Sequence, residues 1–220
     1  MNSVRIWFKK TGLAVYISHL DMNRCMSRAV IRARIPLWYT EGFNPKPYLN
    51  FLNPLALGQE GLREPMDIRL EGEITPEEIK NRLNSVMPAG IEILEVTEPV
   101  MKTAQISSAV YSVKLEFASG LLAEGFCAKA KELIAGGELQ AEKKSKRGVK
   151  TVNLCEMVRG FDCVSEGSRV SVTMLLPTGS ALSLNPDLLL DTLISAFGNE
   201  EESRKITRTA LYNTEGELFK

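Results

Sequence analysis

One order of elements is written twice along this chain, and it constrains the fold more than any single motif. In "SVRIWFKK" apolar and polar residues alternate, as a strand with one buried face requires; "SHLDMNRCMSRAVIRARI" then changes to helical spacing until Pro36. "YLNFLNP" and "MDIRLEG" are strand candidates. "TPEEIKNRLNSVMPAG" carries helix-start signals, with Thr75 as N-cap, Pro76 in the first turn, Glu78 closing a capping box and Gly90 expected to end the helix. "IEILEV" is the next strand. From Ala109 the order returns: "VYSVKLEF" as a strand, "GLLAEGFCAKAKELIAGG" as a helix closed by two glycines, then "EMVRGFDCVSEG" and "RVSVTMLLP" as a hairpin pair. "NPDLLLDTLISAFG" repeats the capping logic with Asn185, Pro186 and Gly198, and "SRKITRTALY" supplies the last strand.

Two copies of β-α-β-β-α-β predict an α+β fold of two tandem ferredoxin-like units with antiparallel sheets, each sheet carrying two helices on one face. The expected boundaries are a first domain over 1–99, a linker over 100–108 and a second domain over 109–220. The repeat is one of element order, not of residue identity, so a single α+β domain with one larger sheet is the rival arrangement.

Charge sharpens this only locally. The formal net charge is zero over 220 residues, so the chain has none of the global positive excess that marks many nucleic-acid binders. Its distribution is uneven. Residues 1–50 hold eight Lys and Arg against Asp21 and Glu41, whereas residues 51–101 hold ten acidic residues against four basic ones. Either a basic and an acidic face exist, or the two segments neutralise one another.

Cys25, Cys127, Cys155 and Cys163 form no CxxC or CxxxCxxC pattern, which argues against a zinc ribbon and a cysteine-ligated iron–sulfur cluster. No apolar run approaches the roughly 18 residues of a membrane span, and Arg5, Lys9 and Lys10 interrupt the first one. A reduced, cytoplasmic protein with no membrane contact is expected. Phosphate-loop and dinucleotide fingerprints are missing too, so no cofactor and no metal are expected.

Arg24, Arg28 and Arg32 recur every fourth residue and therefore stack along one side of the first helix. Like charges at this spacing repel by a few tenths of a kcal/mol per pair, which carboxylates of the acidic segment or an anionic ligand would relieve; a solvated face is the other arrangement. Ser18 can cap that helix and Asp21 can complete the box, which places His19, the one histidine, at the end that favours anions. In "EGFNPKPY" the prolines hold Asn44 and Lys46 extended. Lys46 then stands between Phe43 and Tyr48, next to Glu41, a combination suited to base stacking with phosphate contact; the same aromatics could instead pack inward beneath a turn. "KKSKRGVK" adds Lys143, Lys144, Lys146 and Arg147 in a connecting segment, and "RKITRT" adds Arg204, Lys205 and Arg208. These clusters suit a phosphate patch or a solvated surface equally.

The block "YISHLDMNRCMSRAVIRARIPLWYTEGFNPKPYLNF" resembles the radical-SAM-linked family, a bacterial domain of unknown function encoded beside, or fused to, a cobalamin-binding-type radical SAM protein. The matching marks are "SHLD" (18–21), "EGFNPKP" (41–47) and "PLALG" (54–58), with looser likeness in "KTVNL", "SLNPDLLLDTLI" and "ITRTALY". The resemblance implies an accessory or substrate-recognition module for a radical SAM partner. Combined with the basic helix and loop, it leads to an expected RNA ligand, tRNA or ribosomal RNA. Some relatives carry His where this chain has Lys46, so a cationic contact survives there and an imidazole role does not. Two other readings stand beside it: a metal-independent endoribonuclease with His19 as general base and Lys46 or Tyr48 stabilising charge, and a protein-interaction scaffold.

Overall fold

The computed structural model describes residues 2–145 and 148–220. Among them are four α-helices and a mostly antiparallel sheet, in a mixed α/β chain that divides into two compact units: Met1–Thr103 with Lys220, and Ala104–Phe219.

The first unit runs β1 (Asn2–Lys10), a 3-10 turn (Gly12–Tyr16), α1 (His19–Arg32), β2 (Leu49–Phe51), β3 (Glu60–Leu70), α2 (Pro76–Asn84) and β4 (Ile91–Thr97). Its strands lie in the order β4-β1-β3-β2. Period-two alternation puts Ile6 and Phe8 of β1, Met66, Ile68 and Leu70 of β3, and Ile91 and Ile93 of β4 into one core. Against them pack Met22, Met26, Ala29 and Val30 of α1 and Ile79 and Leu83 of α2. The α1 set is the i, i+4, i+7, i+8 stripe of an amphipathic helix, and it leaves Arg24, Arg28 and Arg32 on the exposed side.

Local signals explain where these helices begin and end. Ser18 Oγ accepts from Asp21 N and Thr75 Oγ1 from Glu78 N. Arg34 closes α1 in the left-handed region (φ 52°), two residues ahead of Pro36. The second helix departs from expectation. It stops at Asn84, and Gly90 instead occupies a later turn at φ 86°, where a Cβ would meet the Thr11 carbonyl oxygen at 2.4 Å. Glu78 pairs with Arg82 one turn on rather than reaching back to complete its box.

The other side of β1 is polar and nonetheless buried. Arg5 is 1% exposed; its guanidinium donates to both Asp67 oxygens (2.8 and 3.1 Å) and to the carbonyls of Met101 (2.7 Å) and Lys220 (2.6 Å). Trp7 donates from Nε1 to Thr97 Oγ1 at 3.0 Å, and the Arg63 guanidinium lies 4.1 Å from its ring centre.

The second unit runs β5 (Ile106–Glu116), α3 (Gly120–Gly136), β6 (Gln140–Ser145), β7 (Gly148–Asn153), β8 (Gly160–Glu166), β9 (Arg169–Pro177), α4 (Pro186–Phe197) and β10 (Ser203–Asn213). Its strand order is β10-β5-β9-β8. Ser119 and Asn185 cap the starts of the two helices, and Gly137 and Gly198 end them in the left-handed region. Phe117, Phe126 and Phe197 meet at centroid separations of 5.2–6.1 Å in the core between the helices and the sheet. β5 begins three residues ahead of Ala109. On either side of Lys146 and Arg147, where a connection was expected, β6 and β7 pair antiparallel in a separate two-stranded sheet.

Removing the Arg5 charge leaves the Asp67 carboxylate with neither partner. Arg5→Met is expected to cost about 3–5 kcal/mol in urea unfolding. Lys9→Met, which breaks the exposed pair with Glu92, should cost less than about 1 kcal/mol.

Candidate anion-binding groove

The exposed face of α1 forms one wall of an open groove of about 690 Å³. Asp21, Arg24, Cys25, Arg28, Ile31 and Arg32 line it from the helix, and Val86 and Pro88 from the segment after α2. The helix supplies the spacing of the three guanidinium groups; the fold supplies the opposite wall. Arg32 donates to the Val86 carbonyl at 3.0 Å, bridging the two. Arg24 pairs with Asp21 at 3.0 Å, and Arg28 makes no hydrogen bond or ion pair among the described residues. The Ser18 hydroxyl and the Arg24 guanidinium hold the Asp21 carboxyl below its ordinary range. Burial pushes the Cys25 thiol up, although Arg32 and Arg28 pull the other way.

Four of the ten acidic residues of 51–101 pair with cations outside this stripe. Asp67 holds Arg5, Glu92 holds Lys9, Glu95 holds Arg63 and Glu78 holds Arg82. The basic and acidic segments therefore do meet, but through β1 and the sheet, and α1 is passed over.

His19 opens α1, exposed, with its ring edge-on to Phe51 at 5.3 Å. It borders a slot of about 20 Å³ shared with Phe8, Lys10, Asn53 and Glu64, which has room for a water-sized molecule rather than a nucleotide. Lys10 is 4% exposed and donates to the carbonyls of Ile17 (2.9 Å) and Val15 (3.4 Å). Its burial lowers the ammonium pKa against the opposing pull of Glu64. Ser18 spends its hydroxyl on the helix cap, accepting from Asp21 N and donating to Asp21 Oδ2 at 2.7 Å.

The 40–48 loop closes through Thr40 N to Lys46 O (2.9 Å), Lys46 N to Thr40 Oγ1 (3.1 Å) and Tyr48 N to Trp38 O. Glu41, Phe43, Asn44 and Lys46 are exposed, and Phe43 stands wholly free of the fold. Of the two arrangements open to the aromatics around Lys46, Tyr48 takes the packed one, which corrects its place in the binding set. Its ring packs against Trp38 at 6.2 Å and lies under the Arg69 guanidinium at 4.3 Å, so that face already holds a cation.

Arg208 is a second correction. It lies in β10 at 2% exposure and is engaged within the protein, so it offers no charge to solvent. Arg204 is likewise occupied, by Asp191 (2.6 Å), Asp187 (3.4 Å) and Glu201; burial lowers its pKa, and Asp191 and Glu201 outweigh that and raise it. Lys146 and Arg147 lie outside the described residues, as do the side chains of Lys143 and Lys144.

Sequence reasoning missed Val86 and Pro88, which no local pattern connects to α1. It also missed Arg69, although the alternation in "MDIRLEG" puts Arg69 on the sheet face opposite Ile68 and Leu70. Exposed Leu13, Tyr16, Leu20 and Leu57 went unremarked; the Gly58 N–H to Val15 O bond (2.9 Å) brings the segment holding Leu57 against the turn holding Leu13 and Tyr16.

A lysine whose pKa is lower folded than unfolded burdens the fold while both states are protonated, and that burden is lifted as pH rises through the folded value toward 10.5. Wild type is therefore expected to gain stability relative to Lys10→Met across that window, measured as the difference in urea midpoints at successive alkaline pH values.

Among the described residues no helix is long and apolar enough to cross a membrane, and none of their His, Cys, Asp and Glu groups is arranged to hold a metal ion. No curated protein matches the chain. A crystal structure of an unknown protein from Galdieria sulphuraria is loosely similar, at 10% identity and a TM-score of 0.27 over 94% of this chain and 98% of that one. Residues 3–186, which take in β1, the arginine-striped helix, the 40–48 loop and both caps of the later helices, match the uncharacterized proteins conserved in bacteria grouped as DUF2344, and the chain belongs to that family.

Proposed function

We propose that this protein is a non-enzymatic binding module that holds the phosphodiester backbone of an RNA, tRNA or ribosomal RNA, in the groove of α1. The observation that carries the reading is Arg28, an exposed guanidinium that makes no hydrogen bond or ion pair among the described residues, set between Arg24 and Arg32 in a groove whose one acidic lining residue, Asp21, pairs with Arg24. Three cations along one helix face repel each other, and phosphate oxygens relieve that repulsion while leaving the groove's apolar wall free to meet a sugar or base. Lys46 and the free Phe43 ring add a cation and a stacking surface on the 40–48 loop.

The fold we assign is a tandem pair of ferredoxin-like units. In each unit the fourth strand lies beside the first, then the third, then the second, in support of that assignment. A radical SAM protein is the partner we propose, on the resemblance carried by "SHLD" and "EGFNPKP", with the complex in the cytoplasm. Exposed Leu13, Tyr16, Leu20 and Leu57 favour a second reading, in which this chain docks its partner as a scaffold and binds no RNA.

Filter binding of structured RNA at two salt concentrations tests the first reading. Affinity should fall steeply with added salt. Arg28→Ala should lower the log–log salt slope by about 1, and replacing all three arginines should remove binding. Absent binding at low salt, or binding indifferent to salt, overturns it. Co-purification with the radical SAM protein after RNA digestion then decides for or against the scaffold.

A further inference from the structure

Two of the four cysteines, 36 residues apart in sequence, meet in the core of the second unit. Cys127 sits on the buried face of α3 beside Phe126, and Cys163 lies in β8 opposite Val172 of β9. Their sulfurs are 2.7 Å apart. That is closer than two sulfurs that merely touch, and longer than the roughly 2.05 Å of a bonded pair. One residue before Cys163, Asp162 reaches Lys131, one turn beyond Cys127, at 3.9 Å, so the ion pair and the thiol pair join the same two elements. The remaining cysteines stand apart from this pair. Cys25 lines the arginine groove, and the Cys155 thiol donates to the Leu133 carbonyl at 3.6 Å.

We propose that Cys127 and Cys163 are an oxidation site, at which a small disulfide oxidant such as glutathione disulfide joins α3 to β8 by a protein disulfide. Cys163 has no exposed surface and Cys127 retains 7%, so Cys127 reacts first. Its thiolate attacks one sulfur of glutathione disulfide, that S–S bond breaks, and the departing glutathione thiolate takes up a proton. Cys163 then gives up its proton, its sulfur attacks the Cys127 sulfur of the mixed disulfide, and a second glutathione leaves. Two protein thiols are oxidised by two electrons and one glutathione disulfide is reduced to two thiols. Burial and the contact with Cys127 push the Cys163 thiol well up from its ordinary value, so the second step is slow in the closed fold and faster when α3 breathes away from β8.

The full-length chain, both folded and refolded in a glutathione redox buffer, is alkylated and mapped by mass spectrometry. The expected product is a Cys127–Cys163 cross-link lighter by two hydrogens, with Cys25 and Cys155 alkylated, and a higher Tm than the reduced chain. In Cys163→Ser the mixed disulfide should persist on Cys127 because nothing resolves it. Four alkylated cysteines after both treatments, or a cross-link through Cys25 or Cys155, overturns the proposal; if Cys163→Ser does not fold, the wild-type map alone decides.

Discussion

The bidentate contact between Arg5 and Asp67 organises the first unit and, with it, the groove. Arg5 stands directly across the ladder from Asp67, so the ion pair and the β1–β3 register specify each other. Sliding β1 by one residue would set Val4 or Ile6 across from Asp67 in its place and turn Ile6 and Phe8 away from the helices. A guanidinium this deeply buried is tolerated because two carboxylate oxygens and two backbone carbonyls accept from it. The same contact commits one of the acidic residues that could have met α1.

Neutrality of the whole chain conceals an uneven local balance. The strands and loops of the first unit resolve their charges in pairs, Lys9 with Glu92 and Arg63 with Glu95, whereas α1 keeps a row of guanidinium groups with one carboxylate, Asp21, at its start. In the second unit Arg204 gathers three carboxylates. Among the described residues, the three guanidinium groups of α1 border a groove of about 690 Å³. Such placement costs the isolated helix a few tenths of a kcal/mol per like-charged pair, which the anionic ligand we propose for that face would relieve.

Much of this was readable from residue patterns. Serine, threonine and asparagine before their helices, with Pro76 and Pro186 at the first turn, located helix starts because capping is a local interaction between a side chain and an amide two or three residues away. The arginine stripe was legible because helical period is local as well. Two positions misled. Gly90 looked like a helix end but serves a close approach to Thr11, and Tyr48 looked like a free ring but is held by Trp38 and Arg69. Both depend on segments that are brought together only by strand pairing.

By itself the sequence determined where the four helices start and which side of α1 carries arginine, since each follows from contacts within a few residues; it did not show the β6–β7 pair. Tertiary structure decided which charges would meet. Whether Asp67 faces Arg5 or Arg28, whether Val86 and Pro88 wall a groove, whether Arg208 reaches water and whether Cys127 touches Cys163 are all long-range pairings. They are set by sheet register and helix packing, and no spacing along the chain encodes the distance between side chains that different elements bring together.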